Sequence, residues 1–195
     1  MIWRSWLVST MTSVILLIAG ACSQADVPSA RTRAVGDRLR PFISVDTVSG
    51  KRYCQVCAYG GKPTLMVVLD LDDPKANETL HEMQAILAQY PRLTAFALFG
   101  SFDGQTLRAP LKPIVTQAAL ADRARALGLT FPVTFLPAQL TPGEALHYQP
   151  FVDRFDVRQS QTALLAAADN RIRFAGQLDS PHHQTRLKRA VKALF

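Results

Sequence analysis

The chain has 195 residues, of which 48% are hydrophobic and 19% are charged. This composition is enough for one domain with a real core, and we find no internal repeat and no second domain. The formal net charge is +7, but the basic residues are not interleaved with aromatic residues as they usually are in nucleic-acid-binding surfaces. The sequence therefore argues against a nucleic-acid partner and favours a solvated basic surface.

Residues 1–21 have the features of an export signal. Arg4 supplies the positive start, residues 14–18 are continuously apolar, and the small residues Ala19-Gly20-Ala21 precede a cleavage point. A membrane span is the competing interpretation. The apolar run is too short for it, since hydroxyl side chains interrupt it at Ser9, Thr10, Thr12 and Ser13. We therefore predict a signal peptide.

Cys22 follows these small residues, and here the sequence resembles a bacterial lipoprotein signal. The resemblance implies that Cys22 carries lipid as the mature N-terminus and that the protein is anchored to a membrane of the periplasm or cell envelope. Ser23 would then favour sorting to the outer membrane. Ala19 departs from the motif, which prefers a larger aliphatic residue, and ordinary cleavage that leaves a soluble protein is the alternative. Residues 22–36 are polar and small, as expected of a flexible tether.

Cys54 and Cys57 are the other two cysteines of the chain, and only two residues separate them. Thiols at this spacing can form a small disulfide ring, bind a soft metal or shuttle electrons. Export would place them where disulfides persist. If Cys22 is lipidated, each has only the other as a partner, which favours a Cys54–Cys57 pair.

The first half of the chain predicts a hairpin followed by alternating strands and helices. Hydrophobic periodicity, turn residues and helix-breaking prolines give the boundaries. The predicted elements are a first arm at 42–48 with a turn at Ser49-Gly50-Lys51, a returning arm that runs into Cys54, a buried strand at Thr64–Leu71, a helix between Pro74 and Pro91, a buried strand at Leu93–Phe99, a loop at Gly100–Pro110, and a helix at 114–127 with Ile114 and Leu120 inward.

The second half predicts shorter elements and a terminal helix. Prolines and glycines mark its loops, and alternation marks its last hairpin. The predicted elements are a short strand at Phe131–Leu136, a short helix at Glu144–Phe155 interrupted by Pro150, a strand at Thr162–Ala167, a turn at Asp169-Asn170, a return strand at Arg171–Gly176, and an amphipathic helix at His182–Leu194.

In this order, several short motifs resemble the thioredoxin fold in its peroxiredoxin and thioredoxin-like lipoprotein branch. They are Gly50-Lys51, Gly61-Lys62-Pro63, Phe131-Pro132-Val133, Thr162–Ala167 and Asn170–Gly176. The resemblance covers about residues 36–195 and implies a thioredoxin-like domain at 37–195. Its expected architecture is α/β, with a central mixed β-sheet flanked by helices and an N-terminal β-hairpin.

The cysteines depart from that family's pattern. Thioredoxins and peroxiredoxins place their reactive cysteines after the first core strand, at the N-terminus of the next helix, where a thiolate is stabilised. That place here reads Asp70–Lys75 without a cysteine, and Gln161 stands where thioredoxins have a proline. The Cys54/Cys57 pair instead precedes the strand. We therefore expect a displaced pair without a helix N-terminus, which nearby Lys51, Arg52 and Lys62 activate more weakly than a helix N-terminus would.

The favoured function is thiol–disulfide exchange through Cys54 and Cys57, with a protein thiol or disulfide, or a small oxidant, as partner and no cofactor. The alternatives are a redox-inactive binding module with a structural disulfide, and a Cu(I)-handling protein in which His182-His183 assist the cysteines. A closed zinc site is disfavoured because no second pair of ligands exists. Asp70-Leu71-Asp72 also resembles a phosphatase Asp-x-Asp motif, but Pro74 and the missing later acids favour helix capping.

Overall fold

The computed structural model describes residues 35–151, 155 and 157–195. The predicted signal peptide, Cys22 and all but the last two residues of the predicted tether lie outside the described residues. Within the described residues, none of the helices has the length and apolar character needed to cross a membrane.

A mixed β-sheet forms the centre of the molecule. Two parallel pairings, β3 with β4 and β4 with β6, lie between antiparallel pairings on either side. The order across the described sheet is β2-β1-β6-β4-β3-β7-β8, and β5 pairs with the end of β4. The strands are β1 Ser44–Asp46, β2 Arg52–Tyr53, β3 Thr64–Asp70, β4 Thr94–Asp103, β5 Thr106–Arg108, β6 Val133–Phe135, β7 Thr162–Ala166 and β8 Ile172–Gln177. The predicted mixed sheet and N-terminal hairpin are confirmed.

Both faces of the sheet are covered. Alternate side chains of β3 point to opposite faces, so Val67 belongs to one apolar cluster and Met66 to the other. This explains why β3 reads as a continuous apolar run. The three long helices pack on the Val67 face; α1 and the segment around Phe151 pack on the Met66 face. The helices are α1 Gln55–Ala58, α2 Ala76–Gln89, α3 Pro113–Ala126, α4 Pro142–Ala145 and α5 Pro181–Lys192.

The predicted loop at Gly100–Pro110 is wrong, because β4 continues to Asp103 and turns back as β5. Gly100 makes this hairpin possible. A Cβ atom at that position would lie 2.6 Å from Leu107 Cδ1 and 2.7 Å from the Arg108 carbonyl oxygen. The sequence shows no strand pattern at β5, because the strand is short and has one buried side chain, that of Leu107.

Two further predictions differ from the structure. Ile114 was predicted to face inward but is 86% exposed, whereas Leu120 on the same helix is buried. The apolar side chains of α3 are spread around the helix, so periodicity could not identify its buried side. The predicted helix at Glu144–Phe155 begins earlier, as the single turn α4, and residues 152–154 and 156 lie outside the described residues.

Candidate redox site

Cys54 and Cys57 form a disulfide, with their Cα atoms 5.2 Å apart. The pair lies on the Met66 face of the sheet, in the connection between β2 and β3. β2 ends at Tyr53, and Cys54 still has extended backbone angles (φ −87°, ψ 104°). The single helical turn α1 follows at once, so it closes the ring between the two sulfurs.

Contrary to the sequence expectation, the pair does lie at the start of a helix. Cys54 is the N-cap residue of α1, and its Sγ accepts a hydrogen bond of 3.0 Å from the backbone N–H of Cys57. Serine, threonine and aspartate oxygens usually make this contact at helix starts. The expectation failed because a four-residue helix is too short to show any hydrophobic period.

The two sulfur-bearing residues differ in exposure. Cys54 is 7% exposed and belongs to the apolar cluster that includes Val56, Met66 and Phe96. Cys57 is exposed, as are Ala58 and Gly60 beside it. One end of the disulfide therefore lies in the core and the other lies at the surface.

The surroundings of the disulfide are largely apolar and neutral. The Tyr59 side chain is half-buried, with its ring centroid 6.2 Å from that of Phe96, and burial raises the pKa of its phenol to about 12. Burial also raises the pKa of the Tyr53 phenol. Both phenols therefore stay protonated at neutral pH. Gln55 is fully buried; its side-chain amide makes no hydrogen bond of normal geometry in the described structure, but it lies close enough to the Tyr53 phenol to oppose the effect of burial on that pKa.

Arg52 does not serve the disulfide as the sequence suggested. Its Nε and Nη2 donate to the two carboxylate oxygens of Glu144 at 2.9 and 2.5 Å, and Nη2 also donates to the Gln139 carbonyl at 2.7 Å. Hydrogen bonding from Arg52 lowers the pKa of the Glu144 carboxyl to about 2. The positive charge of Arg52 is thus matched by a carboxylate. Lys51 and Lys62 remain exposed near the pair.

The end of β3, where the sequence resemblance implied reactive cysteines, is occupied by a hydrogen-bonded turn. The Asp73 carboxylate accepts from Ser160 Oγ, from Gln161 Nε2 at 3.1 Å and from the Lys75 N–H at 2.8 Å. Ser160 Oγ in turn accepts from the Asp70 N–H at 2.9 Å. These bonds hold the end of β3 to the start of β7. The predicted capping of α2 by these acids is wrong, because the N-cap residue is Lys75 and no side chain caps the helix; Asp73 instead binds the N–H of Lys75 and forms a turn before the helix.

His182 and His183 lie in the first turn of α5, where His183 Nδ1 is 2.7 Å from Asp179 Oδ1. In the part of the chain that the structure describes, no three or more histidine, cysteine or acidic side chains are grouped so that they could hold a metal ion. The histidines are therefore not brought to the cysteine pair in this structure.

Sequence reasoning missed Gln55, Tyr59, Glu144 and Ser160 as neighbours or supports of these sites. A signal existed for Glu144. Thr141-Pro142-Gly143-Glu144 is a capping box with proline in the first turn, and both of its reciprocal hydrogen bonds are present. Gln55, Tyr59 and Ser160 give no such local signal, because only the tertiary fold decides what lies beside them.

Comparison with known proteins establishes the fold. No protein-family model matches the chain, and no curated protein matches it. Among solved structures, an uncharacterized conserved protein from Geobacillus kaustophilus has a TM-score of 0.62 at 16% identity, with 84% of this chain and 83% of that chain covered. A thiol peroxidase from Chromobacterium violaceum has a TM-score of 0.56 at 16% identity, with 84% and 88% covered. A thiol:disulfide interchange protein of the thioredoxin family from Chlorobium tepidum has 0.54 at 13% identity, with 83% and 97% covered. The chain therefore has the thioredoxin-like fold that its sequence predicts.

Proposed function

We propose that this chain is an exported thiol–disulfide oxidoreductase whose reactive centre is the Cys54–Cys57 pair. The observation that carries the proposal is a disulfide with one end at the surface, on a thioredoxin-like frame. Two proteins with similar structures are a thiol:disulfide interchange protein and a thiol peroxidase. Their fold likeness to this chain supports a related chemistry here, carried by a differently placed pair.

The size of the ring also supports exchange over a structural role. A disulfide stabilises a fold mainly by restricting the unfolded chain, and this effect grows with the length of the closed loop. A loop running only from Cys54 to Cys57 contributes about 2 kcal/mol in the chain-entropy treatment. A disulfide that closes so short a loop adds little stability, whereas short Cys-x-x-Cys disulfides are common in exchange centres.

The reaction needs no cofactor. A partner thiolate attacks one sulfur of the pair, a mixed disulfide forms, and the other cysteine leaves as a thiolate. A second thiol of the partner then attacks the mixed disulfide, so the partner is oxidised and the pair is reduced to two thiols. The reverse sequence reduces a partner disulfide. Protein thiols or disulfides, or a small oxidant, are the proposed partners.

The pair is displaced from the position that the resemblance implies. It precedes β3, while the end of β3 holds Asp73 bound to Ser160 and Gln161. The proposed chemistry therefore depends on the N-cap position of Cys54 and on the exposure of Cys57. It does not use the helix that follows β3.

The test compares the wild-type protein with a Cys54→Ser, Cys57→Ser double variant in insulin-disulfide reduction and in peroxide consumption. We expect the double variant to lose at least one of these activities. A Cys22→Ser variant is the matched control, because it also replaces a cysteine by serine but leaves the pair intact. Equal activity of wild type and double variant in both assays would contradict the proposal.

We also propose that residues 1–21 direct export and that Cys22 carries lipid, so that the domain is anchored in the cell envelope. The small residues before Cys22 and the polar tether after it support this. Metabolic labelling with a fatty acid tests it. Label should appear in the wild-type protein and be absent from the Cys22→Ser variant. Unlabelled wild-type protein in the soluble periplasmic fraction would instead support simple cleavage.

The second candidate is a redox-inactive binding module with a structural disulfide. The observation that favours it is a group of exposed apolar side chains, Leu111, Ile114 and Val115, at the start of α3. The double cysteine variant separates the two candidates. A binding module would keep its partner after loss of both cysteines, and no difference in either activity assay would favour it.

A further inference from the structure

We infer that the two cysteines have unequal roles: Cys57 is the sulfur that exchanges with the partner, and Cys54 is the resolving sulfur. This inference rests on the proposed function and adds the identity of the residue that forms the mixed disulfide. It assigns the surface around Cys57 as the contact site for a partner thiol.

Access to the sulfurs is the first argument. A thiolate attacks a disulfide along the S–S line, from the side opposite the leaving sulfur. Cys57 is an exposed residue and Cys54 is only 7% exposed, so a partner thiolate has more room to reach Cys57. Cys54 belongs to the apolar cluster that contains Val56, Met66 and Phe96, which are all buried, so packed side chains restrict access to it.

The leaving group is the second argument. Cys54 Sγ already accepts the Cys57 N–H at 3.0 Å. Hydrogen bonds to an ionised acceptor are stronger than those to a neutral one, so this bond strengthens as the Cys54 thiolate forms. Attack at Cys57 therefore expels a sulfur into a place where a donor already points at it. Attack at Cys54 would release the other sulfur at the surface.

The reaction balances without a further reagent. The partner thiolate bonds to Cys57 Sγ, the Cys54–Cys57 bond breaks, and its electron pair leaves on Cys54 Sγ as a thiolate. A second partner thiolate then attacks the partner's own sulfur, and Cys57 leaves as a thiolate. The partner dithiol has lost two electrons and two protons, which the pair has gained. In the reverse direction the Cys57 thiolate attacks a partner disulfide and Cys54 resolves it.

The exposed residues beside Cys57 suit a protein partner. Ala58, Gly60 and Gly61 are exposed and small, so a partner backbone can approach the sulfur closely. Lys62 is exposed in the same segment and adds a positive charge. A partner protein therefore meets Cys57 first at this surface, and the buried Cys54 acts in the second step.

The test uses matched Cys54→Ser and Cys57→Ser variants of the full chain, both with Cys22→Ser, reacted in the reduced form with oxidised glutathione. Serine preserves the N-cap contact in the first variant, since its hydroxyl accepts the same N–H. Mass spectrometry follows the glutathione adduct with time. We expect the variant that retains Cys57 to form the adduct at least about tenfold faster than the variant that retains Cys54. Equal rates, or the opposite order, would overturn the assignment.

A second measurement does not depend on how well the variants fold. Oxidised protein carrying only Cys22→Ser is mixed with reduced glutathione, quenched in acid within seconds, alkylated and digested. The adduct should map to Cys57 and the alkyl group to Cys54, and the opposite pattern overturns the inference while leaving the proposed function intact. Absence of any adduct in native protein, with an adduct in denatured protein, overturns both.

Discussion

Arg52 and Glu144 form a two-bond ion pair that ties β2, two residues before Cys54, to the turn α4. The Arg52 guanidinium holds both oxygens of the Glu144 carboxylate and also binds the Gln139 carbonyl. Because β2 leads directly into Cys54, this contact fixes the N-terminal side of the redox ring. Glu144 is itself held by the capping box with Thr141.

This pair predicts a pH dependence of stability. The pKa of Glu144 falls from 4.5 to about 2 in the folded protein. A lowered folded pKa means that the folded state binds fewer protons, so the contribution is complete above about pH 4.5 and is lost as the pH falls toward 2. A Glu144→Gln variant should therefore have a lower melting temperature than wild type at pH 7, corresponding to a free energy of unfolding lower by about 1 kcal/mol. This difference should shrink below pH 4. Thermal melts between pH 7 and pH 2.5 measure this.

Asp122→Asn is a suitable control, because Asp122 pairs with Arg125 on the exposed surface of α3. Exposed pairs of this kind contribute little. The control should stay close to wild type across the range. Parallel melting curves for wild type and Glu144→Gln would show that the ion pair does not carry the pH dependence.

Removing the Asp73 carboxylate should lower the free energy of unfolding more than removing the Glu144 carboxylate does. In an Asp73→Ala variant the Ser160 hydroxyl, the Gln161 amide and the Lys75 N–H all lose their acceptor. The N–H of Lys75 is exposed and water can replace its acceptor, but the Ser160 and Gln161 donors are part-buried. A buried donor without a partner destabilises a fold by about 1–3 kcal/mol, and partial hydration reduces this cost. We expect a loss of about 2 kcal/mol in urea unfolding.

Asp72→Ala is the matched control, since Asp72 is exposed and adjacent in sequence. It should change the free energy of unfolding by less than about 0.5 kcal/mol. If both variants lose the same amount, the effect comes from net charge, and the hydrogen bonds to Asp73 are not its source.

Replacing the buried Gln55 by an apolar residue should stabilise the fold. Gln55 is fully buried beside the disulfide, and its amide makes no hydrogen bond of normal geometry, its one polar interaction being a weak one with the Tyr53 phenol. Replacing a buried unpaired polar group by an apolar one of similar shape is neutral or stabilising. Gln55→Leu should raise the free energy of unfolding by about 1 kcal/mol, measured by urea titration with the disulfide intact. A loss of similar size would mean that the amide has a partner in solution, and Gln55→Glu, which buries a charge, should be strongly destabilising in either case.

Sequence patterns were sufficient for the long elements of this fold. The apolar run at Thr64–Leu71 and the stripe of α5 each have a period or length that only one structure satisfies, and both are confirmed. Short elements were missed. β5 has one buried residue and α1 has four residues in all, so neither shows a period.

The candidate site was predictable in chemistry but not in geometry. The spacing of Cys54 and Cys57 allowed a disulfide, a soft-metal site or a redox pair, and lipidation of Cys22 favoured the disulfide; the structure contains that disulfide. The partner of Arg52 was not predictable, because Glu144 lies 92 residues away along the chain. Likewise, which cysteine is buried depends on the packing of Val56 and Phe96 against the sheet, which no local pattern reports.

The effect of the disulfide on stability distinguishes a reactive disulfide from a structural one. Because the ring closes so short a loop, reducing it should lower the free energy of unfolding by no more than about 2 kcal/mol. Urea titrations of the wild-type protein with and without dithiothreitol measure this difference, and the Cys54→Ser, Cys57→Ser variant should match the reduced protein and be unaffected by the reagent. A loss well above this range, or unfolding on reduction, would favour the structural role and the binding module over exchange.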